Sequence, residues 1–156
     1  MKPQSTGFTL IELTVVLVIA SLLFAISVPS FSKLSDNAAY REAVRDVVAA
    51  LNTAKKRALH RNVPVDVVLE APDRKVSVVN AGEAPGTADL IELPDSLEMT
   101  VTTAAEVSAG QDLQVIRFYP MGGSTGGDIT LLRDTGVGTL IQVGWLLADV
   151  KQSSVP

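Results

Sequence analysis

Few residues of this 156-residue chain are placed to do chemistry. The densest group is Lys55-Lys56-Arg57 with His60 and Arg61, enough basic side chains to contact nucleic-acid phosphates. They stand at the end of a stretch with helical periodicity, where cations complement the dipole and the unpaired carbonyls. Interleaved aromatics, the usual base-stacking platform, are missing, and His60 has no partner nearby in sequence to make it a base. The segment Phe118-Tyr119-Pro120-Met121-Gly122-Gly123-Ser124-Thr125-Gly126-Gly127-Asp128 has the glycine density of a phosphate loop. It lacks the Gly-Lys-Ser/Thr ending and precedes a strand rather than a helix, so it reads as a flexible hairpin connection. Ser124 and Thr125 have no identifiable base and are not nucleophiles. Asp66, Asp73, Asp89, Asp95, Asp112, Asp128 and Asp134 are spaced like turn and strand-edge residues, with no calcium-loop spacing. No catalytic residue, metal site or cofactor is expected. One carboxylate stands apart: Glu12, set inside a long apolar run.

Composition narrows the classes further. The chain is long enough for one domain with a modest core. Its formal net charge of −4 gives no global basic field for nucleic acid. It has no cysteine, which excludes disulfides and thiolate metal sites and is compatible with an oxidising compartment. Its single histidine excludes a histidine-based metal cluster.

Residues 1–7 are short and polar with one lysine, and residues 8–28 read FTLIELTVVLVIASLLFAISV, about the length of a bilayer-crossing helix. Pro29 then interrupts. A secretory signal peptide has a shorter apolar stretch, of about 7–15 residues, and rarely carries an acid. A carboxylate well inside a bilayer costs roughly 2.5–3.5 kcal/mol on insertion scales, which marks it as a functional-site candidate. A glutamate near the end of a span can also reach the membrane surface, so Glu12 alone leaves both readings open.

The run Gly7-Phe8-Thr9-Leu10-Ile11-Glu12, followed by unbroken apolar sequence, resembles the processing signature of type IV pilins and type II secretion pseudopilins. The resemblance implies that a prepilin peptidase cuts between Gly7 and Phe8 and methylates the new N-terminus at Phe8. Gly7 has no side chain to obstruct a protease, and the cut leaves the apolar helix intact as an anchor. The new ammonium at Phe8 then needs a counter-charge, which Glu12 of a neighbouring subunit can supply, because a buried charge is tolerable only when paired. Lys33, Arg41 and Arg45 follow the span, so charge counting does not fix its orientation. A C-terminal domain outside the cytoplasm is what the resemblance implies.

Val44, Val47, Val48, Leu51, Ala54 and Ala58 recur at three- and four-residue spacing and predict an amphipathic helix. Ser35 or Asp36 could cap it if the helix breaks near the proline, and Asn62-Val63-Pro64 ends it. Beyond Pro64 the period becomes that of strands. Residues 65–69 and 75–79 read as a hairpin about the turn 71–74, and 80–89 as a loop. Residues 90–93 and 97–102 read as short strands around Pro94-Asp95, and 104–112 as a second loop. Strands at 113–119, 128–132 and 139–147 complete the sheet. The pattern is α+β, a long helix followed by about seven short strands.

The run Phe-x-Pro-x-Gly, then Ser-Thr-Gly-Gly, then Ile-Thr-Leu from Phe118 onward resembles the C-terminal domain of the GspH/FimT group of minor pseudopilins and minor pilins. The two resemblances together imply a pilin-like fold, with a long N-terminal helix packed on antiparallel sheet. The implied organisation is a leader over 1–7, a transmembrane and assembly helix over 8–28, its continuation over 29–62 and a β-rich periplasmic domain over 63–156. The implied function is that of a minor pseudopilin near the tip of the periplasmic pseudopilus, which drives export of folded proteins across the outer membrane. Expected partners are other minor and major pseudopilins, the prepilin peptidase, the inner-membrane secretion platform and lipid around 8–28. The expected location is the bacterial inner membrane, with a single span and the C-terminal domain in the periplasm. The alternative is a FimT-like minor pilin that binds DNA for uptake. That branch has an arginine-rich tail, whereas Trp145-Leu146-Leu147-Ala148-Asp149-Val150-Lys151-Gln152 holds one lysine and one aspartate, so no nucleic-acid partner is expected.

Overall fold

The computed structural model describes residues 7–86, 89–103 and 113–156, and for residues 25–35 the backbone alone. Residues 1–6 of the expected leader, residues 87–88 of the first expected loop and the whole of the second, 104–112, lie outside the described residues. The chain divides into two compact units, Met1–Ala38 and Ala39–Pro156.

A single helix, α1 (Leu10–Arg61), spans 52 residues. The helix runs unbroken through Pro29 into its continuation, so Asp36 lies inside it and caps no new helix; the Ser35 side chain is outside the described residues. A proline removes one intrahelical hydrogen bond and crowds the carbonyl four residues back, at a cost of about 3 kcal/mol. That is a local penalty, which hydrogen bonding on both sides outweighs. The helix stops where Asn62 takes a left-handed conformation at φ 54°, a conformation asparagine tolerates, with Pro64 two residues on.

The two parts of α1 differ in what surrounds them. In the first unit the apolar side chains of residues 8–24 are exposed on every side of the helix, Leu10 and Phe24 among the most open. In the second unit Ala43, Val44, Val47, Ala50, Leu51, Ala54 and Ala58 form a buried stripe at three- and four-residue spacing. Among the described residues no helix is long and apolar enough to cross a membrane. The side chains of 25–28, the last part of the expected 8–28 span, are not among those described, and 8–24 alone falls short of the ~20 residues a span needs.

Eight strands follow among the described residues: β1 (Val65–Glu70), β2 (Lys75–Asn80), β3 (Leu90–Glu92), β4 (Leu97–Thr103), β5 (Leu113–Phe118), β6 (Gly127–Arg133), β7 (Gly138–Val143) and β8 (Val150–Val155). They form two antiparallel sheets, in the orders β3-β2-β1-β5 and β4-β6-β7-β8. The hairpin of β1 and β2 is as expected, with Glu70 opposite Lys75. The expected strand over 139–147 ends at Val143, and a further strand, β8, forms in the tail beyond it. Its run Lys151-Gln152-Ser153-Ser154 has no apolar alternation, so its strand character comes from pairing with β7 rather than from its own pattern.

One core joins the helix stripe to both sheets. Val65, Val67 and Leu69 of β1, Ile116 and Phe118 of β5, Met99 of β4, Ile129 and Leu131 of β6 and Ile141 of β7 all belong to it. Each fully buried side chain of this size contributes about 1.5–3 kcal/mol. On the other side of β1, Val68, Val79 and Val115 form a smaller cluster. Beside it, Asp66 is buried and receives a bidentate hydrogen bond from Arg117, Nε to Oδ1 at 2.7 Å and an Nη to Oδ2 at 2.8 Å. The expectation that Asp66 sits at a turn or strand edge is therefore corrected. It faces Arg117 directly across the β1–β5 ladder, and the hydrogen bond that Arg117 donates to its carboxylate holds the Arg117 pKa above its ordinary value. The helix is tied to the second sheet by Tyr40, whose hydroxyl lies 2.6 Å from Thr139 Oγ1 and whose ring carries the Arg133 guanidinium at 4.7 Å.

Gly138 opens β7 where there is no room for a side chain. A Cβ there would lie 2.3 Å from the Leu131 carbonyl oxygen and 2.6 Å from Leu132 Cδ2. Since the first of these is backbone in the paired strand β6, Gly138→Ala is expected to destabilise the fold by about 2–3 kcal/mol. Chemical denaturation of the variant checks this, and an unchanged midpoint would mean that β6 and β7 can separate locally at little cost.

Candidate processing and assembly site

Helix α1 has a well-defined start. Thr9 stands at the N-cap, its Oγ1 accepting a hydrogen bond from the Glu12 backbone N–H at 3.3 Å and its carbonyl accepting one from Leu13 N–H at 3.2 Å. The sequence Thr9-Leu10-Ile11-Glu12 has the spacing of a capping box, and the glutamate in the first turn also complements the helix dipole. This Thr9 signal, Thr-x-x-Glu before an apolar run, was readable in the sequence and was missed. The Gly7–Phe8 peptide bond consequently lies outside the helix, and both residues are exposed. Among the described residues nothing lies within 4 Å of where a Gly7 side chain would begin. A protease therefore meets this bond with no helical hydrogen bonds to break.

Glu12 is exposed and makes no ion pair among the described residues. The other polar side chains nearby are satisfied within the helix. The Thr14 hydroxyl donates to the Ile11 carbonyl and the Ser21 hydroxyl to the Val18 carbonyl, both at 2.8 Å. Backbone bonding of this kind makes threonine and serine tolerable in an apolar surrounding. The Glu12 carboxylate makes no such bond and is the charged side chain among the described residues of this stretch.

The other candidates from the sequence do not converge on a second site. The basic group at the helix end is divided. Lys55 Nζ donates to the carbonyls of Leu147 and Ala148 at 2.9 and 3.0 Å, and Arg57 pairs with Asp89 at 2.8 Å. Lys56, His60 and Arg61 remain exposed. The glycine-rich segment folds back on the end of β5 through an antiparallel bridge between Phe118 and Ser124, as a hairpin does, and then carries the chain to β6 in the other sheet. Its backbone is engaged: Ser124 N–H donates to the Trp145 carbonyl at 2.8 Å and Thr125 N–H to the Arg117 carbonyl at 2.9 Å. Ser124 is buried, donating from its hydroxyl to the Gly144 carbonyl and accepting from Gly126 N–H, each at 3.0 Å. The Tyr119, Gly122, Ser124, Thr125 and Gly126 amides are thus all engaged within the chain. Asp149 is held below its ordinary pKa, first by its hydrogen bond with Lys151. Among the described residues no group of three or more metal-ligating side chains comes together.

A capped, apolar N-terminal helix whose later turns are buried against two antiparallel sheets defines a pilin-like subunit. Two solved structures share this fold. The minor pseudopilin EpsH from the type 2 secretion system of Vibrio cholerae matches with a TM-score of 0.55 and 8% identity, over 74% of this chain and 95% of that one. The type IV minor pilin FimU of Pseudomonas aeruginosa (strain PAO1) matches with a TM-score of 0.58 and 9% identity, over 77% and 92%. Residues 43–146 match the family described as type II transport protein GspH, and the chain belongs to that family. Residues 2–28 match the prokaryotic N-terminal methylation motif. The type II secretion system protein H of Xanthomonas campestris pv. campestris is 27% identical over 152 residues, 97% of this chain and 85% of that protein.

Proposed function

We propose that this chain is a structural subunit and not an enzyme: a minor pseudopilin of type II secretion, cut after Gly7, methylated on Phe8 and held in the inner membrane by residues 8–28. The single observation that carries the reading is the pairing of two features in one helix. Its first part exposes apolar side chains all round with one unpaired carboxylate, and its later part is buried in a folded domain. A helix apolar on every side needs lipid or other helices around it. Residues 1–7 are then the leader, 29–62 the helical continuation and 63–156 the β-rich domain, placed in the periplasm.

In the assembled pseudopilus the Phe8 ammonium of one subunit lies against Glu12 of another, and the apolar helix surfaces pack together. Other pseudopilins, minor and major, are the partners, with the prepilin peptidase and the inner-membrane platform acting before assembly. Work near the filament tip during export of folded proteins follows from the minor-subunit role.

The test is a strain lacking this chain, scored in parallel for secreted proteins in the medium and for DNA uptake. Loss of secretion with normal uptake is expected. Lost uptake with normal secretion would make it instead a pilus subunit of the DNA-binding kind.

A further inference from the structure

The second sheet ends in an open edge. In the order β4-β6-β7-β8, β4 runs beside β5 of the other sheet, whereas β8 pairs with β7 on one side and, among the described residues, with nothing on the other. This edge is six residues long, and Lys151, Gln152, Ser153 and Ser154 are all exposed. Every second residue of such a strand turns its backbone N–H and carbonyl outward, and another extended chain is what satisfies a row of that spacing.

The surface beside the edge is shaped and charged. Gln152 stands opposite the fully buried Ile141, so it lies on the core-facing side of the sheet, yet α1 does not cover it. Between them is a groove of about 380 Å³ lined by Tyr40, Arg41, Val44, Arg45, Val48 and Thr139, together with Gln152. Its charged lining residues are both arginines. Arg41 and Arg45 are exposed, and neither pairs with a carboxylate among the described residues. They sit four residues apart on one helix face, with Val44 and Val48 forming the apolar part of the same wall.

We infer that β8 and this groove are a docking site for an extended segment of a partner protein, one that carries both acidic and apolar residues among its every-second positions, which share a face. The segment adds a strand to β8, and its inward side chains enter the groove. Apolar ones meet Val44 and Val48, and carboxylates meet Arg41 and Arg45, whose planar guanidinium groups suit bidentate carboxylate binding. A helix could not satisfy the edge. A nucleic-acid strand would find only two cations here on a chain of net charge −4.

The experiment uses the full chain in lipid nanodiscs and follows amide hydrogen exchange along β8. The probes are a blocked eight-residue peptide in which serine alternates with valine and glutamate in turn (Ser-Val-Ser-Glu-Ser-Val-Ser-Glu), its counterpart with lysine for glutamate, and a thymidine oligonucleotide. The glutamate peptide is expected to slow exchange at alternate β8 amides at least tenfold, with little effect from the other two. The double variant Arg41→Glu, Arg45→Glu alters only exposed side chains, and its β7–β8 amides without peptide report that the sheet is intact. In that variant the protection by the glutamate peptide is expected to disappear. No protection by the glutamate peptide, equal protection by the lysine peptide, protection by the oligonucleotide instead, or protection that survives the double variant would each overturn the inference.

Discussion

Gly7→Trp leaves the chain at precursor length, with residues 1–7 still attached, while the folded domain keeps its stability. The structure separates the two effects. Among the described residues a Cβ at Gly7 would meet nothing within 4 Å, and the residue lies outside α1, so the substitution is expected to cost the folded domain little. Its whole effect falls on the peptidase, which must close around the Gly7–Phe8 bond. A bulky residue on the leader side occupies the space the enzyme needs for its own catalytic groups, and misplacement by about 1 Å can lower the rate on the order of 100-fold. Mass spectrometry of the membrane-bound chain reads the outcome directly. Processing of the variant at the wild-type rate would mean that the cut lies elsewhere.

Glu12→Ala gives the complementary result, with normal processing and failed assembly. The Glu12 backbone N–H still bonds Thr9 Oγ1, so the helix start survives and only the carboxylate is lost. In an isolated subunit that group is exposed and its removal is nearly neutral for the fold. In the filament the loss leaves a partner's Phe8 ammonium buried and unpaired, at a cost of about 3–5 kcal/mol. With 1.4 kcal/mol for each factor of ten, that corresponds to a fall of about 100-fold or more in subunit incorporation. Quantifying the variant in isolated pseudopili against its level in the membrane checks this. Equal incorporation of variant and wild type would show that the ammonium finds another counter-charge.

The parts of this fold that were legible in sequence are those governed by local pattern. The stripe from Val44 to Ala58 is buried as its spacing requires, and the β1–β2 hairpin follows from two β-rich runs about Pro72-Asp73. What could not be read depends on residues distant in sequence. Asp66 looks like any strand-edge aspartate until β5 brings Arg117 opposite it. Strand β8 has a polar sequence and exists because β7 offers it an edge. The glycine-rich segment resembles a hairpin turn locally, and only the assignment of β5 and β6 to different sheets makes it a crossover. Pro29 could have broken the long helix, but a local rule for helix breaking yields to the hydrogen bonding of a 52-residue helix. For the candidate site, Gly7, Phe8 and Glu12 stood out by type and spacing, whereas the cap at Thr9 was visible but passed over.

The central claim is that this chain acts as a processed, membrane-anchored subunit. Its most direct test is the intact mass and N-terminal sequence of the wild-type chain isolated from the membrane of its own cells. The expected result is a polypeptide beginning at Phe8 and carrying one methyl group on its amine. A chain that retains residues 1–7, or that begins well beyond residue 28 and has lost the apolar segment, would contradict it.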